Sequence, residues 1–165
     1  MQIWHMECYP IGDRRLPHHL FPPKLITPDQ LSQLAGVVYY KVDLDDSAAT
    51  KKRISRVRSE RGVAYSDVLT IDESRGDLSQ TLEELYEPVE NKDDTVCMVL
   101  EGSMYCDVEV EEDEWIRIQL ERGDLIVVPK GRPFRYTTTP KVSIILLANF
   151  VRLQRFARRG DEMQG

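Results

Sequence analysis

The sequence predicts a mainly β protein in which a helical and extended N-terminal region leads into an antiparallel barrel or sandwich. Two observations support this fold class. Before Pro88, three short segments carry apolar residues at helical spacing, whereas about six short segments after it alternate and are separated by turn residues. The length of 165 residues suits one domain with a single core.

The first 25 residues are predicted to be extended or turning, because they include the proline-rich stretch LPHHLFPPK. A short helix is predicted after Thr27, which can cap it, with Pro28 at the first helical position and Gln30 completing a capping box. Gly36 is predicted to end this helix. The segment GVVYYKVDL that follows alternates as a strand does.

Two further helices are predicted before the strand-rich half of the chain. A basic helix over about residues 47–60 carries Ile54 and Val57 on its apolar side. A third helix over residues 78–86 places Leu78, Leu82 and Leu85 on one face.

The region after Pro88 is predicted to form short strands with tight turns between them. The turn segments are EG, EEDE, ERGD and KGRP, and the strand segments are TVCMVL, SMYCDVEV, WIRIQL, LIVVP, FRYTTT and VSIILLANF. In WIRIQL, alternation places Ile116, Ile118 and Leu120 on one face and the remaining side chains on the other.

The dipeptide EG at residues 101–102 predicts a two-residue hairpin turn, since glycine readily supplies a positive φ. The resulting register would place Cys97 opposite Cys106, with both pointing inward beside Val99 and Met104. We interpret the two cysteines as small, apolar-like residues that pack a core. The alternative is a redox-sensitive pair.

The composition limits which binding partners and which cellular compartment we expect. The net charge of −6 argues against nucleic acid as the main partner, and the basic runs at residues 51–62 and 152–159 are interpreted as solvated faces. No apolar run is long enough to cross a bilayer and the start carries no signal-peptide pattern, so we expect neither membrane insertion nor secretion. The three cysteines are then expected to be reduced thiols.

One segment, GDLIVVPKGRPF, resembles the second signature motif of the cupin superfamily, in which a Gly, a Pro, a second Gly and a His recur at fixed spacing. Gly123, Pro129 and Gly131 fall in register with that motif, but Phe134 stands at the His position. The first cupin signature has the pattern His-x-His-x3-Glu-x6-Gly.

Gly102 fits the end of that first signature. Counting back from it, the two His positions are Val89 and Asn91, and the Glu position is Thr95.

Longer segments resemble eukaryotic acireductone dioxygenases: DEWIRIQLERGDLIVVPKGRPFRYT, LEGSMYCDV, IWHME and GDRRLPHH. The resemblance implies one domain over residues 1–165, with an N-terminal extended and helical region (1–88), a cupin barrel of double-stranded β-helix or jelly-roll type (89–150), and a divergent tail (151–165). That family binds one iron or nickel ion through three His and one Glu. It oxidises the acireductone of methionine salvage with O2.

All four positions that correspond to the family's metal ligands hold other residues, namely Val89, Asn91, Thr95 and Phe134. Cys97 stands where the family has an Arg that holds the anionic substrate. On a continuous strand, the odd-numbered positions 89, 91, 95 and 97 would share one side, where a metal would need its donors. Because valine and phenylalanine have no donor atoms, and neutral oxygens bind transition metals weakly, we predict an inactive member of the family. We expect no catalytic residue, no metal ligand and no cofactor.

Two alternatives stay open. One is an active dioxygenase that binds metal through an unusual set, such as Cys97 with the N-terminal histidines His5, His18 and His19. The other is a non-catalytic cupin that binds a small ligand or a protein partner. The resemblance implies a cytoplasmic and nuclear location.

Overall fold

A computed structural model describes residues 1–63, 67–74, 76, 78–141 and 143–149. The divergent tail, including the basic run at 152–159, lies outside the described residues. Within the described ranges, in chain order, the elements are β1 (Gln2–His5), α1 (Pro28–Ala35), β2 (Val38–Lys41), α2 (Ser47–Arg61), β3 (Asp67–Asp72), α3 (Leu78–Tyr86), β4 (Thr95–Glu111), β5 (Glu114–Glu121), β6 (Asp124–Val128), β7 (Phe134–Thr138) and β8 (Ser143–Ala148).

The long strand β4 belongs to both layers of the sheet. Its first half pairs with β6 and β8, and its second half pairs with β5 and β7. One layer therefore has the order β1-β5-β4-β7 and the other β2-β6-β4-β8-β3, with every pairing antiparallel. The mainly β prediction is confirmed. Residues 1–88 contain α1, α2 and α3 and also contribute β1, β2 and β3 to these layers.

The predicted hairpin at residues 101–102 is wrong, because β4 runs through it without reversing. The pairing of β4 with β8 instead shifts register between Val99 and Glu101, and Gly102 has a φ of 86°. The glycine therefore serves a bulge that bends one strand. Cys97 is paired with Ile126 and Ala148, and Cys106 with Ile118 and Tyr136, so the two cysteines are not cross-strand partners.

The bulge also decides which residues point into the core. An extra residue in a strand reverses the alternation of its side chains, so the inward positions of β4 are odd-numbered before the bulge and even-numbered after it. The prediction that Cys97, Val99, Met104 and Cys106 all point inward is confirmed, since all four are buried in one apolar cluster between the two layers.

The helix ends follow from local chemistry. In α1 the Thr27 hydroxyl accepts a hydrogen bond from the Gln30 backbone N–H at 3.2 Å, and the Gln30 side chain accepts one from the Thr27 backbone N–H at 2.9 Å. Gly36 follows in the left-handed conformation, as predicted. Val57 of α2 is buried against the outer face of the β2-β6-β4-β8-β3 layer, and Ile54 packs beside it.

No helix among the described residues combines the length and the apolar character that crossing a membrane requires.

We predict that Gly102→Ala destabilises the protein far more than Gly131→Ala. Both glycines have a φ near 80°, so both substitutions carry the cost of about 1–2 kcal/mol for a left-handed residue. A Cβ at Gly102 would also lie 2.1 Å from the backbone oxygen of Ser143, whereas one at Gly131 would meet nothing within 4 Å. Urea unfolding would measure the difference, which we expect to be about 2 kcal/mol or more. Equal losses for the two variants would contradict the close approach of β4 and β8.

Candidate functional site

The structure brings together the side chains predicted to correspond to the metal ligands. Val89 and Phe134 form an isolated antiparallel bridge, in which each backbone N–H donates to the other's carbonyl oxygen at 3.0 Å. The Asn91 side-chain amide donates to the Thr95 hydroxyl at 2.6 Å. The four residues therefore form two contacting pairs, one at the start of β7 and one at the start of β4.

The chain between Val89 and Thr95 is not the continuous strand that the parity argument assumed. It bends at residues 92–93, and β4 starts only at Thr95. The Asn91 carbonyl accepts a hydrogen bond from the Gly131 N–H at 2.9 Å, which ties this bend to the loop before β7. Asn91 still turns its side chain toward Thr95 because the bend, not strand alternation, orients it.

Two carboxylates near this segment, Asp94 and Glu90, have other surroundings. Asp94 accepts a hydrogen bond from the Lys130 backbone N–H at 2.9 Å and lies 3.4 Å from the Arg61 guanidinium. Glu90 is exposed. Glu90 and Asp94 are even-numbered and so differ in strand parity from Thr95 and Cys97.

Most of this site is buried core. Thr95 and Phe134 are each 1% exposed and Cys97 is fully buried. The Phe134 ring packs edge-on against the Tyr136 ring, with 5.5 Å between centroids. Val89 is partly buried against the same cluster. An aromatic ring therefore occupies the place where the resemblance implies an imidazole.

The ionisable groups next to this ring are held in their neutral forms. Burial raises the pKa of Cys97 to about 12, although a hydrogen bond with the Tyr136 hydroxyl partly offsets the rise. Burial also raises the pKa of Cys106 well above its usual value, with a further increase from the neighbouring Cys97. The pKa of Tyr136 is raised by burial and by both thiols. At neutral pH the three groups are two thiols and a phenol, none of which carries charge.

This donor set does not fit a divalent iron or nickel ion. Asn91 and Thr95 offer only neutral oxygen atoms, and the Thr95 hydroxyl already accepts a hydrogen bond from the Asn91 amide N–H. Cys97 holds its proton too firmly to act as a thiolate ligand. Binding a doubly charged ion here would require burial of that charge without an anionic partner, which is strongly unfavourable. Across the described residues, no group of three or more His, Cys, Asp and Glu side chains converges.

The three histidines have local roles in the N-terminal segment. His18 lies 3.2 Å from the Glu7 carboxylate and its other ring nitrogen lies 2.7 Å from the Asp13 carbonyl oxygen. The His19 ring stacks on Trp4 with 4.3 Å between centroids. His5 pairs with Ile116 on the neighbouring strand. The alternative metal site, built from Cys97 and these histidines, is not assembled within the described residues.

Sequence reasoning missed a buried ionic cluster on the outer face of the β1-β5-β4-β7 layer. The Asp107 carboxylate accepts two hydrogen bonds from Arg117 at 2.8 and 2.9 Å and one from Arg135 at 3.0 Å. Arg117 is fully buried, although alternation in WIRIQL would place it toward solvent. The one signal in the sequence is Arg117, which stands among aromatic and apolar residues in the regularly alternating segment WIRIQL.

Comparison with known proteins identifies the relatives of this chain. The model of the ARD/ARD' family matches residues 2–157. "Probable inactive acireductone dioxygenase 1" of Caenorhabditis elegans is 55% identical over 162 residues, which are 98% of each chain. "Acireductone dioxygenase" of Drosophila melanogaster is 33% identical over 157 residues, which are 94% of this chain and 80% of the fly protein.

The fold also has a solved counterpart. A Bacillus anthracis acireductone dioxygenase with a cadmium ion in its active centre superposes with a TM-score of 0.72. It covers 91% of this chain and 92% of its own, at 21% sequence identity. This likeness establishes that the two chains share a fold.

We predict that only one of the three thiols reacts with a soluble thiol reagent while the protein is folded. Cys97 and Cys106 are buried and hold their protons, whereas Cys8 is partly exposed. Titration with a chromogenic disulfide should count one thiol in the native state and three in guanidinium chloride, and Cys8→Ser should remove the native reaction. Rapid reaction of two or three thiols in the native state would contradict the buried, protonated arrangement.

Proposed function

The chain belongs to the ARD/ARD' family of acireductone dioxygenases, and from that premise we propose that it is a catalytically inactive member. The observation that carries this proposal is the chemistry of Val89, Asn91, Thr95 and Phe134, which we assign to the places of the family's three histidines and one glutamate. None of these four side chains supplies an imidazole or a carboxylate. The C. elegans relative with 55% identity, whose name describes it as probably inactive, supports the same conclusion.

The substitutions convert a polar chamber into core. A buried histidine without its metal leaves polar nitrogen atoms unsatisfied, at a cost on the order of 1–3 kcal/mol. Burying a phenylalanine instead contributes about 1.5–3 kcal/mol, and Phe134 is 99% buried against Tyr136 and its neighbours. We infer that stability does not depend on a bound ion, so chelators leave the folded state unchanged.

The place of the family's substrate-binding arginine is also altered. We assign Cys97 to that position, and its thiol is neutral and buried. An anionic enediolate entering the barrel would therefore meet neither a metal nor a guanidinium. This second change disfavours the alternative of an active dioxygenase with a different metal site.

We propose that any remaining function is one of binding or regulation, carried out in the cytoplasm and nucleus. The location follows from the family resemblance alone. Fluorescence microscopy of the full chain fused to a fluorescent protein at either end tests it, and confinement of both fusions to another compartment would overturn it.

We predict that four substitutions create a metal site in this barrel: Val89→His, Asn91→His, Thr95→Glu and Phe134→His. The variant presents three imidazoles and one carboxylate on two pairs of residues that are each already in contact, so we expect close to one equivalent of nickel or iron per chain by elemental analysis. Without metal it should unfold more readily than the wild type by roughly 3 kcal/mol, because it buries polar groups in place of apolar ones.

The matched control carries Thr95→Gln in place of Thr95→Glu, together with the same three histidine substitutions. Glutamine has nearly the shape of glutamate but carries no charge. We expect this control to bind metal more weakly than the glutamate variant. The wild type should retain less than about 0.1 equivalent of either metal and should unfold identically with and without a chelator. Stoichiometric iron or nickel in the wild type would overturn the proposed function.

A further inference from the structure

A charged cleft lies on the outside of the barrel, between residues 12–15 and α3. It consists of two adjoining cavities of about 450 and 670 Å³, which share Arg14 and Glu83 in their walls. Arg135 and Thr137 of β7 line these cavities with side chains that point away from the barrel core. The cleft is therefore separate from the buried site around Phe134.

Four side chains stack in sequence beside this cleft. The Arg135 guanidinium carbon lies 4.0 Å from the centre of the Trp115 ring and 4.3 Å from that of Tyr86. The Arg14 guanidinium carbon lies 4.4 Å from the centre of the same Tyr86 ring. Two positive charges are thus held close together through one aromatic ring, which attracts both of them.

The buried charges next to the cleft do not balance. Asp107 is the one carboxylate that contacts both buried arginines, Arg117 and Arg135, among the described residues. Arg117 directs four of its five N–H groups to Asp107 and to the carbonyl oxygens of Arg14 and Leu16. The two buried arginines therefore share one buried carboxylate, and the further carboxylates near Arg135 are those of the cleft wall, Glu83, Glu84 and Glu87.

Arg135 also has unused hydrogen-bonding capacity. Its side chain is 9% exposed, and it donates one N–H to Asp107 at 3.0 Å and one to the sulfur of Met6 at 3.7 Å. Of the five N–H groups of a guanidinium, three have no acceptor among the described residues. The Tyr86 hydroxyl is likewise buried with no acceptor in the described part of the chain. A buried hydroxyl in this state is costly unless an acceptor reaches it.

We propose that this cleft binds a small oxyanion, a carboxylate or phosphate group, between Arg14 and Arg135. An oxyanion supplies several acceptor oxygens to Arg135 and to the Tyr86 hydroxyl, and planar guanidinium groups match its geometry. The ligand is held on the outer face of the barrel, so this inference stands whether or not the barrel is catalytically active.

The cleft wall also carries three glutamates, Glu83, Glu84 and Glu87. Glu83 lies 3.0 Å from Arg14 and is 69% exposed, so it can leave that contact at little cost when an anion arrives. Glu84 accepts a hydrogen bond from Gln80 at 3.0 Å. These acids do not converge with others into a possible metal site within the described residues.

Fluorescence of Trp115, which stacks on Arg135, provides the test. The full-length wild-type protein is titrated with sodium phosphate and, separately, with sodium acetate, at an ionic strength held constant with sodium chloride. We expect a saturable change with a dissociation constant in the range of about 0.1–10 mM for at least one of the two probes. Saturation by phosphate alone assigns a phosphorylated ligand, by acetate alone a carboxylate, and by both a general oxyanion site.

Substitutions at two exposed positions, Arg14 and Glu83, distinguish binding in this cleft from general effects of net charge. Arg14→Gln removes one wall of the site and should weaken binding about five-fold, whereas Glu83→Gln removes the competing carboxylate and should strengthen it by a similar factor. Arg56 and Glu60 form an exposed ion pair on α2, so Arg56→Gln and Glu60→Gln give the same changes in net charge away from the cleft and should leave binding unchanged. Absence of a saturable response to both probes, or equal affinities in all five proteins, would overturn the proposal.

Discussion

The bend of β4 at Gly102 is the constraint on which the rest of the structure depends. A single strand, β4, is an interior strand of both layers, and its two halves pair with four different strands. The positive φ of Gly102 and its approach to the backbone of Ser143 allow this bend. A side chain makes the positive φ costly, and its Cβ would collide with the Ser143 carbonyl oxygen. Because the bulge also reverses the alternation of β4, Cys97 and Cys106 both point into the core that the bend encloses.

That enclosed core explains why the site has lost its polar character. The same strand that places Thr95 and Cys97 inside the barrel faces Phe134 and Tyr136 from β7, and these side chains fill the space between the layers. On the other face of β4, Asp107 holds Arg117 and Arg135 under the N-terminal segment. The surroundings of Phe134 are therefore uncharged, whereas the outer face of β4 carries charged groups to which an ionic ligand can bind.

Features governed by neighbouring residues could be predicted from the sequence, and those governed by distant ones could not. Thr27, Gln30 and Gly36 determine α1 through contacts within nine residues, so its capping box and its end agree with the prediction. Gly102 signalled a positive φ, but hairpin turns and bulges share that signal, and the choice depends on pairing with β8 about 40 residues later. Asp107, Arg117 and Arg135 come from three strands, and alternation alone assigns such residues to solvent.

The central claim is that this barrel cannot carry out the reaction of its family, because the residues at its mouth supply no group that holds a redox-active ion. The most direct measurement is the rate of acireductone decay in the presence of oxygen, after anaerobic incubation of the purified full-length protein with ferrous iron or nickel. The account predicts a rate equal to that of buffer with the same metal, independent of protein concentration. A decay rate that rises in proportion to protein concentration with either metal would contradict it.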